Sequence, residues 1–216
     1  MLKWRKNEEN IRSSLTWFAR FLFVCLLIFE LLNVLKIIQF NLQFTWVGLL
    51  ITASVCWGLL EYIAYKYAEL KGHMLHWSVW YIAVIALSLD AAGDFFFLYA
   101  NIEWWDKLVH FSVPATLCFT LFTIISAFWI DKFKFALLFK TGRLKLSLLL
   151  AATSTMSLSA LYEVEEYTEN LLFYTNRLGP GTDTADDLMY NFFGTMFVML
   201  IIIVYYKITH KRKIIE

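Results

Sequence analysis

The sequence predicts an all-α, polytopic membrane protein, a bundle of six transmembrane helices. Three observations lead there. Hydrophobic residues fill 60% of the 216 positions and charged residues only 17%, below the roughly 25% of ordinary soluble domains. The apolar residues come in long blocks, and a bilayer-spanning helix needs about 20 of them in succession. Short strands of alternating polarity are absent, which argues against a lipid-facing β-barrel.

Six blocks qualify in order: Trp17–Ile38, Phe44–Leu60, Trp77–Tyr99, Leu108–Ile130, Leu146–Tyr167 and Asp187–Tyr206. The first is interrupted by Arg20 and Glu30. Its basic start continues past signal-peptide length without a small-residue cleavage site, so it reads as an uncleaved helix. Trp104 and Trp105 precede the fourth block, where indole rings mark a membrane interface. The fifth and sixth are joined by Asn170–Asp186, which carries the turn signal Gly179-Pro180-Gly181. The connector 131–145 is basic and aromatic, suited either to lying along headgroups or to a solvated link. No Pro-, Gly- or Ser-rich linker and no repeat divides the chain, so residues 1–216 read as a single integral membrane domain.

Charge sets the orientation. With the N-terminus in the cytoplasm, every Lys and Arg falls on the inner side except Lys36, Lys107 and Arg177. That bias places both termini in the cytoplasm. The basic tail at Lys211, Arg212 and Lys213 serves the same bias and contacts anionic lipid. Nucleic-acid binding receives no support. Cys25, Cys56 and Cys118 all fall inside blocks, odd in number and without metal-ligand spacing, so they read as packing residues.

Four polar signatures interrupt this apolar chain: Asp90-x-x-x-Asp94, Asp106-x-x-x-His110, Glu163-x-x-Glu166, and Asp183-x-x-x-Asp187-x-x-x-Asn191. Spacings of three and four put each set on one helical face. The orientation places all four in the outer half, together with Glu30. Ionisable groups at membrane depth cost roughly 2.5–3.5 kcal/mol each on insertion scales, so they usually face a protein interior. Asp90 lies roughly 20 Å of helix below Trp104, too deep for a short side chain to reach water. An aspartate one turn from a histidine suits acid–base chemistry or metal ligation. Simpler readings compete: Asp106 as a helix N-cap, Asp183 or Thr184 as another, and Glu165 and Glu169 as a solvated rim. Glutamates at the end of the fifth helix would oppose its macrodipole and ask for a compensating cation. Gly194 permits close approach of another helix.

In these residues the chain resembles the YjdF-type family of bacterial inner-membrane proteins and, more distantly, the VanZ-like membrane proteins. The resemblance covers roughly residues 85–200. It rests on Asp106-Lys107-x-x-His110-Phe111, Tyr162-Glu163-x-x-Glu166, Asp183-Thr184-x-x-Asp187-Leu188 and Asn191-x-x-Gly194. VanZ-like proteins carry Glu-x-x-Gln where this chain has Glu163 and Glu166. A glycopeptide-resistance role therefore does not transfer. The YjdF-type resemblance implies a membrane protein and brings no activity with it.

The residues themselves suggest an outward-facing site with His110, Asp106, Glu163 and Glu166 as the catalytic groups. Asp90, Asp94, Asp183, Asp187 and Asn191 are the expected ligands of a divalent metal, Mg²⁺, Mn²⁺ or Zn²⁺. Such a site would act on a lipid or lipid-linked envelope substrate, the metal polarising a phosphoryl oxygen or activating water. Two other classes compete: a cation- or proton-coupled transporter, and a non-catalytic subunit whose polar cluster only holds the bundle together.

Overall fold

The computed structural model describes residues 2–129, 143–175, 177–179 and 181–215, with side chains over 13–129, 143–175, 177–179 and 181–208. Most of the basic aromatic connector and the side chains of the C-terminal basic cluster lie outside these residues. The described chain forms helices α1 (Leu2–Val34), α2 (Trp46–Lys71), α3 (Ser78–Phe95), α4 (Leu98–Asn101), α5 (Trp105–Trp129), α6 (Arg143–Phe173) and α7 (Asp183–Ile215). All but α4 contain a span long and apolar enough to cross a bilayer. Large exposed side chains such as Phe21, Ile51, Ile85, Leu161 and Leu200 are what a lipid-facing surface requires.

The helices group into two compact units, Met1–Glu103 and Trp104–Glu216. In the first, α1 buries Thr16, Ala19, Phe23, Glu30 and Asn33, a helical repeat that defines one face. Arg20, which interrupts the apolar block, donates to Glu61 of α2 at 2.8 Å, and its guanidinium lies 4.7 Å from the Trp80 ring centroid. Arg20 and Glu61 therefore satisfy one another.

Several helix boundaries differ from the hydropathy reading, and in the first unit three of them have a local reason. Helix α1 ends at Val34 because Lys36 turns left-handed (φ 57°). The Lys36 and Ile37 amides donate to the Asn33 and Leu32 carbonyls at 2.9 Å, the paired bonds of a Schellman stop. Helix α2 runs eleven residues past Leu60, from a Thr45 N-cap to Gly72 in the left-handed region (φ 71°). Residues such as Glu61, Lys66 and Glu69 lower hydropathy yet favour helix. Helix α3 stops at Phe95, and Phe97 turns left-handed (φ 55°) before α4.

In the second unit α5 packs against both α6 and α7, around Cys118, Phe122, Leu148, Ala151, Val198 and Ile202. The three cysteines are free thiols. Cys118 is a core packing residue, whereas Cys25 is exposed and does not pack in a core. A Cβ at Gly194 would collide with the carbonyl oxygen of Phe111, so α5 and α7 approach backbone to backbone there. Helix α6 reaches Phe173, seven residues past Glu166. Glu163 and Glu166 therefore lie outside its last turn, where the macrodipole acts.

Candidate functional site

Three of the four polar signatures meet in the second unit. Helix α5 begins at Trp105, so Asp106 sits in its first turn rather than at the N-cap, with His110 one turn on. Pro114 lies a further turn along and cannot donate to the His110 carbonyl. Helix α6 turns Glu163, Glu166 and Glu169 inward, all buried. Helix α7 begins at Asp183, and the carbonyl of Thr182 accepts from the amides of Ala185 and Asp186 at 2.9 Å. Thr182 thus holds the cap position expected for Asp183 or Thr184, and its hydroxyl donates to Asp186 at 3.2 Å. Asp187 and Asn191 follow at four-residue intervals and are buried, while Asp183 is half-exposed at the mouth.

His110 is the hub, 6% exposed. Its Nδ1 lies 3.2 Å from Asn191 Oδ1 and 3.7 Å from Glu163 Oε1. Its Nε2 lies 3.4 Å from Asp106 Oδ1 and 3.8 Å from Asp187 Oδ1. An amide oxygen can only accept, so Nδ1 carries a proton towards Asn191, while Nε2 faces the carboxylates of Asp106 and Asp187. Thr195, one turn below, donates to the Asn191 carbonyl at 2.8 Å.

Two sets of side chains each bring their ligand atoms within 4.8 Å of one another: Asp106–His110–Asp187 and Glu163–Glu166–Asp187. Asp187 belongs to both. Ligand oxygens around a divalent ion at about 2.0–2.5 Å are separated by at most roughly 5 Å, so either set has the span of a coordination sphere. Two ionised carboxylates with oxygens within 4.8 Å of one another repel by at least about 3.5 kcal/mol at an effective dielectric constant near 20. That exceeds what any cap or dipole contact returns. Both oxygens of Glu163 are buried and accept no hydrogen bond among the described residues, and its Oε1 meets the charge of His110 at 3.7 Å.

Arg177, in the α6–α7 connection, is the side chain that sequence reading passed over. Its Nε donates to Glu166 Oε1 at 3.0 Å, Nη1 lies 3.6 Å from Glu169 Oε2, and Nη2 donates to the Tyr162 hydroxyl. This is the cation that the glutamates of α6 asked for. Glu169 is consequently 3% exposed instead of standing in a solvated rim. The signal was present: Arg177 is one of three basic residues that the charge reading assigns to the acidic side, eleven positions after Glu166.

Asp90 and Asp94 belong to the first unit and to neither ligand set. Both are buried. The Tyr99 hydroxyl donates to Asp90 at 2.7 Å, which the break after α3 permits. Asp94 Oδ1 accepts the Phe44 amide at 2.8 Å, fastening the α1–α2 connection to the end of α3.

Six apolar spans with a buried carboxylate–histidine cluster define an integral membrane protein organised around a polar site. The chain belongs to the family described as predicted membrane protein (DUF2238), which matches residues 18–208. Comparison with curated proteins matched none, and comparison with solved structures matched none.

Proposed function

We propose that the second unit holds a divalent metal ion and acts on a phosphoryl or acyl ester of a lipid or lipid-linked envelope substrate. The observation that carries this reading is the all-carboxylate set Glu163–Glu166–Asp187, with both Glu163 oxygens buried and without a hydrogen-bond partner. Three carboxylates suit a hard ion, Mg²⁺ or Mn²⁺, which keeps water in its remaining positions. The His110–Asp106 pair stands beside it as acid–base partner. His110 Nε2 takes a proton from the attacking water and returns it to the leaving alcohol as the ester bond breaks. Asn191, expected as a ligand, serves better by orienting His110. Asp183 stands at the entrance, and Asp90 and Asp94 act within their own unit.

By positive charge the site faces outward with both termini cytoplasmic, and the YjdF-type resemblance implies a bacterial inner membrane. Elemental analysis of chelator-free, detergent-purified protein tests the metal. Stoichiometric Mg or Mn that disappears in Glu163→Gln supports the reading, and its absence from wild type overturns it. C-terminal reporter fusions test the orientation.

A second reading, proton or cation passage, draws on one observation. Thr120 and Ser126 of α5 and Ser147 of α6 are buried hydroxyls without a hydrogen-bond partner among the described residues, so polarity continues inward of the cluster. Proteoliposome flux measurements decide it: passage requires flux that Ser126→Ala with Ser147→Ala abolishes.

A further inference from the structure

The first unit contains a cavity of about 160 Å³ that the site above does not use. Its lining includes Phe29 and Glu30 of α1, Trp46 of α2, and Ser88 and Phe95 of α3. The volume is close to the roughly 150 Å³ of an engineered cavity that accommodates benzene, so it suits a compact group.

Charge narrows the occupant. Glu30 is 1% exposed, and its Oε2 is buried with no hydrogen-bond partner among the described residues. Within those residues, no Lys, Arg or His ion-pairs with it. Arg20 is engaged by Glu61, and Lys36 is exposed. A lone carboxylate in such a wall selects for positive charge.

The remaining wall selects the kind of cation. Phe29 and Trp46 have ring centroids 5.4 Å apart at 84°. Phe29 and Phe95 are 6.3 Å apart at 66°, and Trp46 and Phe95 6.4 Å apart at 58°. The three rings pack against one another and together form an aromatic wall of the cavity. Divalent metals need six or more oxygen ligands, or an octahedron completed by water. One carboxylate, one serine hydroxyl and apolar walls do not provide that. Aromatic faces with a carboxylate do suit an alkylated ammonium, which is weakly hydrated and attracted to the ring quadrupoles.

We infer that the cavity between α1, α2 and α3 binds an organic ammonium group, with Glu30 as counter-ion and Phe29, Trp46 and Phe95 as walls. The group comes either from a lipid headgroup or from a free amine. The test uses the full chain, delipidated in an uncharged maltoside detergent, titrated with choline chloride and with its uncharged isostere 3,3-dimethylbutanol. Saturable choline binding by calorimetry, at least about tenfold tighter than the isostere and lost in Glu30→Gln, is the expected result. Equal affinity for the two probes, no saturable choline binding, or choline binding unchanged in Glu30→Gln overturns the proposal. The isostere comparison uses wild-type protein, so it decides even where Glu30→Gln fails to fold. Phe95→Leu keeps the charge and should weaken choline selectively, and an undiminished affinity there overturns the proposal that the aromatic wall holds the ammonium. Native mass spectrometry of the membrane-extracted protein then separates the sources. A retained aminophospholipid displaced by choline identifies the headgroup, and choline binding with no retained lipid identifies a free amine.

Discussion

His110 and Asn191, 81 positions apart, meet with Nδ1 and Oδ1 3.2 Å from each other inside the second unit. This contact sets the imidazole so that Nε2 faces Asp106 and Asp187. Asn191→Leu leaves His110 Nδ1–H without its acceptor, which costs about 1–3 kcal/mol. Thermal unfolding of the purified variant should show that loss, and ¹⁵N NMR of the ring should show a mixture of tautomers in place of one.

Asp187 is the side chain common to both ligand sets. Asp187→Asn keeps its shape and removes one charge from a cluster whose ionised carboxylates repel by at least about 3.5 kcal/mol per pair. In chelator the variant should melt at a higher temperature than wild type. Added Mn²⁺ should stabilise wild type, by about 2.7 kcal/mol at a hundred times the dissociation constant, and leave the variant unmoved. A purely structural cluster predicts the reverse in chelator, a lower melting temperature.

Arg177 neutralises buried glutamates from two positions, Glu166 and Glu169. Arg177→Met strands them, and breaking a buried pair from one side costs about 3–5 kcal/mol. Adding Glu166→Gln to that variant should recover part of the loss, which a double-mutant cycle in denaturant measures. Arg177→Lys should recover less, since an ammonium lacks the planar fork that serves both glutamates and Tyr162.

Gly194 has no room for a side chain against the Phe111 carbonyl. Gly194→Ala should push α7 from α5 and cost about 1–3 kcal/mol, as overpacking does. Because Asn191 lies one turn away on the same helix, metal content should fall together with stability.

Lys36 closes α1 in the left-handed region at a conformational cost of about 1–2 kcal/mol for a residue with a Cβ. It is exposed and its backbone supplies the bond, so Lys36→Gly should stabilise the protein by about 1 kcal/mol. An unchanged or lower melting temperature would refute this.

Six spans were readable from hydropathy because lipid imposes a one-dimensional rule: about 20 apolar residues in a row, wherever they occur. The ends of α1 and α2 were less readable, since they depend on Lys36 adopting a left-handed turn and on Glu61 finding Arg20. Spacing alone put Asp106 with His110 and Glu163 with Glu166, because residues three and four apart share a face of any helix.

Spacing is silent about how each helix is rotated and which neighbour it meets. Asp187 of α7 and Glu163 of α6 are joined through His110 only by packing, which Gly194 allows. Glu169 looked like a rim residue until the α6–α7 connection folded Arg177 back onto it. The pair Asp90–Asp94 has the same spacing as Asp106–His110, yet its partners are Tyr99 and the Phe44 amide. Local periodicity and burial cost thus select which residues turn away from lipid. Which of them share a cluster is settled by long-range contacts, because a buried charge is stable only beside the partner that the packed helices bring to it.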